Sequence, residues 1–351
     1  MSLLAVDHVG PATSVQDGGR FGAQRYGLTP SGVMDRPALA VANALAGNAP
    51  FAAAIEIGPF GARFTVRDGP LRVALAGAAR EATAAGRPLP MQTTVLLAAG
   101  ESLVLGAARD GVFSYLAVEG AVCGEPVFGS LSVNALAGLG SPFPRPLRAG
   151  DVLALRDAAP LAQERRLPLA PAPQGPIRIV FGPQHEEFDA AAQELLLASE
   201  WRVSALSDRM GYRLDGPAIT RAHGHDIVSD GTVTGSVQVP GSGRPIILMP
   251  DRGTTGGYPK IATVISADLG RVAQTRPGHA IRFHAVTIEE AQQVARHMAT
   301  HIASLANLVQ TGGAAFDLAA LQSANTAGVA VSAVDAATWQ SPAGPDDKDQ
   351  P

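Results

Sequence analysis

Short apolar segments separated by turn residues recur through the first half of the chain, and this spacing constrains the fold more than any other feature. The segments 54–57, 71–75, 102–105 and 113–118 have the length and the aliphatic or aromatic content of strands. The 39 glycines and 27 prolines of the 351-residue chain supply the turns between such segments. The pattern predicts a β-barrel or a β-sandwich up to about residue 155.

A pattern that occurs in both halves suggests a second domain of the same kind. The segments 148–155 and 276–283 both begin Arg-x-Gly and continue into an apolar strand, and a proline-rich segment at 168–176 lies between the halves. We predict an N-terminal β-barrel domain over 1–165, a proline-rich linker over 166–176, a C-terminal β-barrel domain with a terminal helix over 177–310, and a flexible tail over 311–351.

Helix boundary signals predict a few helices beside the strands. Asp35 is a suitable N-cap for a helix that has Pro37 in its first turn and ends at Gly47. The segment 188–200 has helical spacing, and the capping box from Thr287 to Glu290 begins a helix of about 20 residues. The predicted fold class is therefore mainly β with a few helices.

The overall charge excludes some classes of partner. Charged residues make up 17% of the chain and the formal net charge is -4, so there is no basic surface for nucleic acid and no basic run for a membrane. The single cysteine, Cys123, fits a reducing compartment. We see no secretion signal at the N-terminus and no apolar run long enough to span a bilayer, and we expect a cytoplasmic protein.

A polar loop over residues 251–260 is the strongest candidate for a functional site. Apolar segments flank it on both sides, so the sequence predicts a loop held between two buried strands. Gly256 and Gly257 allow close approach of a ligand, and Thr254 and Thr255 can join their amides in stabilising an oxyanion. Lys260 can add a positive charge. The alternative is a glycine-rich hairpin with a solvated lysine.

Other polar residues on predicted loops extend this candidate site. Arg209 and Lys260 can hold a carboxylate or a phosphate, and Asp251 can orient Lys260 or act as a base. The alternative is that Asp208–Arg209 and Asp251–Arg252 are structural ion pairs. Glu56, within an apolar strand, predicts either a barrel rim or a buried ion pair. The remaining candidates are Asp17, Arg20, Asp35, Gln238, Tyr258 and Gln274.

The sequence gives little support for metal or nucleotide sites in this chain. His223 and His225 alternate as metal ligands on a strand can, but no further ligands are evident, so we predict a polar loop and no metal. No Walker motif, no Gly-x-Ser-x-Gly elbow and no biotin attachment Met-Lys-Met is present.

Several long motifs in the same order resemble the allophanate hydrolase subunit 2 family, also called the biotin-dependent carboxyltransferase or KipA family. The chain departs from that family at Gly253, where glutamine or proline is common, and at His279, where aspartate is usual. The resemblance covers about residues 4 to 295, and its motifs are the segments 15–22, 31–35, 42–43, 207–214, 235–240, 251–269 and 274–278.

The resemblance implies two cyclophilin-like β-barrel domains and an ATP-dependent 5-oxoprolinase that opens 5-oxoproline to glutamate. The chain would act with two partners, one KipI-like (PxpB-like) and one LamB/YcsF-like (PxpA-like). ATP would be held together with these partners, and the chain can be a homo-oligomer. The alternatives are a urea carboxylase-type carboxyltransferase, which would use biotin, and a KipA-like regulator that binds a KipI-like partner.

The resemblance also favours functional roles for the loop residues. The predicted catalytic residues are Asp251, Thr254, Thr255 and Lys260. The predicted substrate-binding residues are Arg209, Gln238, Gly256, Gly257, Tyr258, Asp17, Arg20 and Asp35.

Overall fold

A computed structural model describes residues 2–156, 163–169, 174–221 and 227–312, and these residues are mainly β. The strands are β1 (Ser2–Val9), β2 (Ser14–Gln16), β3 (Ala54–Ile57), β4 (Ala62–Asp68), β5 (Leu71–Gly77), β6 (Arg80–Ala84), β7 (Arg87–Pro88), β8 (Thr93–Leu97), β9 (Ser102–Ala108), β10 (Ser114–Val118), β11 (Val152–Leu155), β12 (Arg165–Arg166), β13 (Ile177–Phe181), β14 (Trp201–Val203), β15 (Gly211–Asp215), β16 (Asp230–Gly231), β17 (Ser236–Gln238), β18 (Ile246–Leu248), β19 (Thr255–Gly256), β20 (Lys260–Val264), β21 (Ala280–Ile281), β22 (Phe283–Ala285) and β23 (Gln310–Thr311).

The N-terminal half encloses its own apolar core between two sheets. One sheet has the order β11-β1-β4-β9-β6-β7, and the other has the order β2-β3-β10-β5-β8-β12-β23. The chain crosses repeatedly from one sheet to the other, for example from β4 to β5 and from β5 to β6. Apolar residues of both sheets, such as Phe64 and Leu75, are fully buried between them. The predicted segments 54–57, 71–75 and 113–118 are buried at every residue, which explains why they are continuously apolar.

The C-terminal half forms a sheet that closes on itself. Its order is β21-β14-β15-β18-β17-β20-β13-β22. The two edge strands, β21 and β22, are separated in the chain by Arg282 alone, so the last strands join the edges into a nearly closed barrel. The predicted fold class, mainly β with barrel-like domains, is confirmed.

Two of the helices begin where their capping residues predict. The helices are α1 (Arg36–Ala46), α2 (Ala190–Ala198), α3 (Leu269–Gln274) and α4 (Ile288–Leu308). Asp35 accepts a hydrogen bond from the Ala38 amide at the start of α1, and Gly47 ends that helix in a left-handed conformation. Thr287 and Glu290 form the capping box of α4. Within the described residues, no helix is both long and apolar enough to cross a bilayer.

The two halves share a second apolar core. Leu39 of α1 and Tyr115 of β10 belong to the same buried cluster as Ile261 and Val272 of the C-terminal half. Residues 1–311 accordingly form one compact unit. The domain boundaries at 165 and 177 stay predictions, although Leu167, at the start of the predicted linker, is buried in this shared core. Residues 170–173 of the linker and 313–351 of the predicted tail lie outside the described residues.

Candidate functional site

A cleft of about 830 Å³ lies between the two halves. The N-terminal half contributes apolar walls that include Phe60, Phe113 and Leu136, and the C-terminal half contributes Met210 and Tyr212. Polar groups from the C-terminal half line the same cleft: Ser207, Asp208, Arg209, Asp251, Arg276 and His279. Apolar walls with a few converging polar groups are typical of small-molecule sites.

Arg209 is fixed at the cleft by acceptors from both halves. Its Nε donates to Asp251 Oδ2 at 2.7 Å and its Nη2 donates to Asp251 Oδ1 at 3.2 Å. Nη2 also donates to the Gly32 carbonyl at 2.6 Å, and Nη1 donates to the Glu56 carboxylate. Because most of its N–H groups are already bonded to protein, Arg209 cannot bind a ligand carboxylate as a free two-pronged fork.

Glu56, for which the sequence predicted either a barrel rim or a buried ion pair, is a buried counter-ion of Arg209. It lies on β3 with no exposed surface, and its other oxygen accepts hydrogen bonds from the Met34 amide and the Tyr115 hydroxyl, both at 2.8 Å. Burial raises the pKa of Glu56, and the Arg209 guanidinium limits that rise. Burial alone would lower the pKa of Arg209, but Asp251 and Glu56 reverse the direction and raise it. Glu56 is therefore part of a buried ion pair.

The turn that carries Arg209 is fixed by its neighbour. Asp208 Oδ1 accepts hydrogen bonds from the Met210 amide at 2.8 Å and from the Gly211 amide at 3.1 Å. This local arrangement holds the turn between β14 and β15 and presents Arg209 to the cleft. The ion pair of Arg209 is thus with Asp251 and Glu56, while Asp208 shapes the turn.

Three predicted substrate-binding residues of the N-terminal half have bonding partners within the protein. Asp17 accepts hydrogen bonds from the amides of Gly19 and Leu131 and from two serine hydroxyls. Asp35 caps α1 and accepts a hydrogen bond from Gln274 Nε2 at 2.9 Å. Arg20 is 1% exposed, and its Nη2 donates to the Ser132 carbonyl. None of the three lines the cleft.

Gln274 joins the two halves beside the cleft. Its side-chain oxygen accepts hydrogen bonds from the amides of Val112 at 2.9 Å and Phe113 at 3.0 Å, and its nitrogen donates to the Phe113 carbonyl at 2.9 Å. Val112 and Phe113 line the cleft. Gln274 therefore fixes one wall of the cleft from the opposite half.

The structure separates the two ends of the 251–260 loop. Asp251 lines the cleft, and both Asp251 and Thr254 line a smaller cavity next to it. Thr255 and Tyr258 are exposed, and Thr255 lies on β19, which pairs with β16. Lys260 is 2% exposed and its Nζ donates to Asp230 at 3.0 Å, so Asp251 does not orient it.

The glycines and Gln238 hold the shape of the far end of the loop. A Cβ at Gly256 would clash with Gln238 Nε2, so a larger residue there would require the Gln238 amide to shift. Gln238 Nε2 donates to the Tyr258 carbonyl at 3.3 Å, and the Gly257 carbonyl accepts a hydrogen bond from the Ile227 amide. Catalytic and binding roles for Thr255, Gly256, Gly257, Tyr258 and Lys260 stay predictions.

The smaller cavity, about 130 Å³, forms a side pocket of the cleft. It shares Asn134, Leu136 and Asp251 with the cleft, so the two adjoin. The full lining is Gly27, Leu28, Thr29, Asn134, Leu136, Ala137, Leu139, Asp251, Arg252, Gly253 and Thr254. Gly253, a position at which the sequence departs from the related family, is therefore part of a cavity wall.

Sequence reasoning missed several residues of these cavities. Arg276 lies within the recognised segment 274–278 but was not singled out as a site residue, and Phe60 and Phe113 lie in segments that carry no family motif. Arg252 lies within the recognised loop, where the sequence favoured its neighbours. Among the described residues no group of three or more His, Cys, Asp or Glu is placed to hold a metal ion, and His223 and His225 lie outside them.

Comparison with known proteins gives matches over most of the chain. The family described as "Carboxyltransferase domain, subdomain A and B" matches residues 26–285. The chain is 37% identical over 310 residues to the C subunit of 5-oxoprolinase from Escherichia coli (strain K12), covering 87% of this chain and 98% of that protein.

Two solved structures have a similar fold. TTHA0988 matches with a TM-score of 0.74 at 37% identity, covering 81% of this chain and 56% of that one. The K. lactis urea amidolyase matches with a TM-score of 0.80 at 26% identity, covering 86% of this chain and 20% of that one. The chain thus spans about half of the first of these proteins and a fifth of the second.

Proposed function

Because the chain belongs to the family of carboxyltransferase domains with subdomains A and B, we propose that it is the C subunit of an ATP-dependent 5-oxoprolinase. The single observation that carries this proposal is the match to the C subunit of the E. coli 5-oxoprolinase, at 37% identity over 98% of its length. The proposed reaction hydrolyses the lactam of 5-oxoproline while ATP is hydrolysed to ADP and phosphate: the ring C–N bond breaks, the oxygen of water enters the new carboxylate, and the ring nitrogen takes up protons to become the amine of glutamate.

The cleft suits the two parts of this substrate. The ring of 5-oxoproline is mostly methylene groups, which the apolar walls at Phe60 and Phe113 can pack against. Its carboxylate needs a cation with N–H groups to spare. Arg276 lines the cleft, donates one hydrogen bond to the Arg109 carbonyl and contacts His279, which leaves further N–H groups for a substrate.

Asp251 is the proposed polar group at the reacting amide. Its two oxygens accept hydrogen bonds from Arg209, and a carboxylate has about four acceptor positions, so it can still accept from the lactam N–H or from the attacking water. Arg209 keeps Asp251 in place and is itself fixed by Glu56. We propose Asp251 as the group that touches substrate and Arg209 as a positioning residue.

The cleft offers few free donors for ATP. A triphosphate requires several convergent hydrogen-bond donors. Arg209 lines the cleft, but most of its N–H groups already donate to Asp251, Glu56 and Gly32. We therefore assign ATP to sites formed with the KipI-like and LamB/YcsF-like partners. In the same proposal these partners are separate chains that dock onto this one.

The experiment mixes the purified chain with its KipI-like and LamB/YcsF-like partners, 5-oxoproline and ATP, and measures glutamate. We expect glutamate only when all three chains and ATP are present. Absence of glutamate in the complete mixture, with each chain folded, contradicts the proposal.

A second candidate is a carboxyltransferase that acts with biotin. It is favoured by the similarity in fold to the K. lactis urea amidolyase, at 26% identity and a TM-score of 0.80. The same preparation, mixed with a biotinylated partner and urea, tests it by incorporation of labelled bicarbonate. Carboxylated urea without glutamate selects this second function. Binding of a KipI-like partner without any turnover selects a regulatory role.

A further inference from the structure

Arg252 is a buried cation in the wall of the side pocket. It is 2% exposed, and its Nη1 donates to Thr234 Oγ1 at 2.8 Å. Its Nη2 donates to Gln24 Oε1 at 3.1 Å and to the Thr232 carbonyl at 3.2 Å. All three acceptors are neutral, and the buried Nε has no partner. No carboxylate of the described part of the chain forms an ion pair with it.

Other buried arginines show what is unusual about this one. Arg80 is also buried without a carboxylate, but its Nε, Nη1 and Nη2 together donate to Ser114 Oγ and three carbonyls. Arg72 is fully buried and pairs with Glu119 and Glu164. Arg252 has neither a counter-ion nor a full set of acceptors. A buried charge in that state is unfavourable unless a ligand supplies both.

A second buried arginine, Arg20, bonds to residues near the walls of the same pocket, and the carboxylates of Asp17 and Asp251 interact with its charge. Arg20 is 1% exposed, and its Nε and Nη1 have no partner. Its backbone amide donates to the Pro30 carbonyl at 2.7 Å, one residue from Thr29 of the pocket wall. Its Nη2 donates to the Ser132 carbonyl, two residues from Asn134 of the opposite wall. Asp17 and Asp251 offset the charge of Arg20, whereas Arg252 bonds only to neutral acceptors.

The negative charge in the pocket wall is partly compensated by Arg209, which also pairs with Glu56. Asp251 lines the pocket, but both of its oxygens accept hydrogen bonds from Arg209. The remaining polar lining carries hydroxyl and amide groups, from Thr29, Asn134 and Thr254, and these can donate to an anion. The pocket wall thus combines one arginine without a counter-ion, Arg252, with several neutral groups that can donate hydrogen bonds.

The size of the pocket limits what it can hold. Its 130 Å³ is the volume of about four waters in the liquid, since one water occupies roughly 30 Å³. A phosphate or a bicarbonate fits in this space, and a nucleotide does not. We propose that the side pocket binds a small oxyanion, phosphate or bicarbonate, with Arg252 as its principal cation. The anion would lie beside the cleft, where a phosphate released from ATP or a carboxyl donor is close to the substrate of the proposed function.

The test is a titration of the purified full chain with inorganic phosphate and, separately, with bicarbonate, each against chloride at matched ionic strength. The readout is the thermal unfolding midpoint, which rises and saturates when a ligand binds only the native state. We expect one of the two anions to give a saturable rise, and the anion that does so identifies the class. General stabilisation by salt is linear in concentration and occurs in every variant.

Three variants make the result specific. Arg252→Met should abolish the saturable rise, whereas Arg244→Met, which removes an exposed arginine paired with Asp215, should retain it. Thr254→Val keeps the charge and should weaken anion binding about tenfold, the effect of one lost hydrogen bond. It also carries the test if Arg252→Met does not fold.

The proposal is overturned if neither anion gives a saturable rise in the wild type. It is also overturned if Thr254→Val and folded Arg252→Met respond to the anion as the wild type does. The titration uses neither ATP, nor 5-oxoproline, nor partner chains. A negative titration therefore says nothing against the proposed activity, which the glutamate assay tests. A negative glutamate assay likewise says nothing against anion binding by the side pocket.

Discussion

Two arginines near Asp251, the partly buried Arg209 and the buried Arg252, differ in their counter-charges. Arg209 pairs with Asp251 and Glu56, which raise its pKa despite burial. Arg252 bonds only neutral oxygens, and burial lowers its pKa to about 10. The arginine at the cleft wall therefore has carboxylate counter-ions, whereas the arginine at the wall of the side pocket has none. In our proposals, Arg209 positions Asp251, and Arg252 binds a small anion.

The largest expected effect on stability comes from removing Arg209, the cation that pairs with Asp251 and Glu56. Arg209→Met leaves the buried Glu56 and the half-buried Asp251 without a counter-ion, so we expect a loss of about 3–5 kcal/mol in the free energy of unfolding. Urea denaturation measures it. The control Arg244→Met removes an exposed ion pair and should change stability by less than about 1 kcal/mol. Equal effects of the two substitutions would show that the ion pairs of Arg209 stabilise the protein no more than the exposed pair of Arg244 and Asp215.

The contact that joins the halves beside the cleft gives the next largest effect. Gln274→Ala leaves the buried amides of Val112 and Phe113 without their acceptor, and we expect a loss of about 2–3 kcal/mol. Gln292→Ala, at an exposed position of α4, is the matched control and should be nearly neutral. A neutral result for Gln274→Ala in the same denaturation experiment would show that the cleft wall is held by other contacts.

The raised pKa of Glu56 makes stability depend on pH with a definite sign. The native protein holds this proton more tightly than the unfolded chain, so unfolding releases a proton as the pH rises above the ordinary pKa of glutamate. Wild-type stability should therefore fall relative to Glu56→Gln as the pH rises above about 4, the ordinary pKa of a glutamate side chain. Denaturation curves at several pH values measure the difference. A difference that stays constant, or one that grows with pH in favour of the wild type, contradicts the assignment.

The smallest expected effect on stability is at the far end of the 251–260 loop. Thr255 is exposed on β19, so Thr255→Val should change the free energy of unfolding by less than about 0.5 kcal/mol. Glutamate formation by the reconstituted complex then tests the predicted catalytic role. Full activity of this variant assigns Thr255 to structure alone, and loss of activity in the folded variant extends the functional site to the exposed end of the loop.

Features set by local sequence were predictable, and features set by pairing between distant segments were not. Asp35 and Thr287 cap their helices as predicted, because a cap depends only on the next three residues. Glu56 is 153 positions from Arg209, and nothing local indicates that β3 faces the turn after β14. The placement of β21 and β22 at the two edges of the C-terminal sheet also depends on pairing between distant strands, so the local sequence could not predict it.

The candidate site shows the same limit within ten residues. Arg209 and Asp251 were predicted in one constellation, and the structure brings them together. Asp251 and Lys260 were predicted to act together, but the loop turns back through β19 and directs Lys260 to Asp230. The direction in which a glycine-rich loop turns depends on the strands that receive it, so spacing alone could not separate these two residues.

The most direct test of the proposed site is the rate of glutamate formation by Asp251→Asn in the complex with the KipI-like and LamB/YcsF-like partners. Asparagine keeps the size of the side chain and loses the charge that accepts a proton or orients water. We predict that kcat/KM falls at least about 100-fold while the variant remains folded. The control Asp215→Asn, which removes an exposed carboxylate, should match the wild type. An Asp251→Asn complex that is folded and fully active would contradict the assignment of the cleft as the site of lactam hydrolysis.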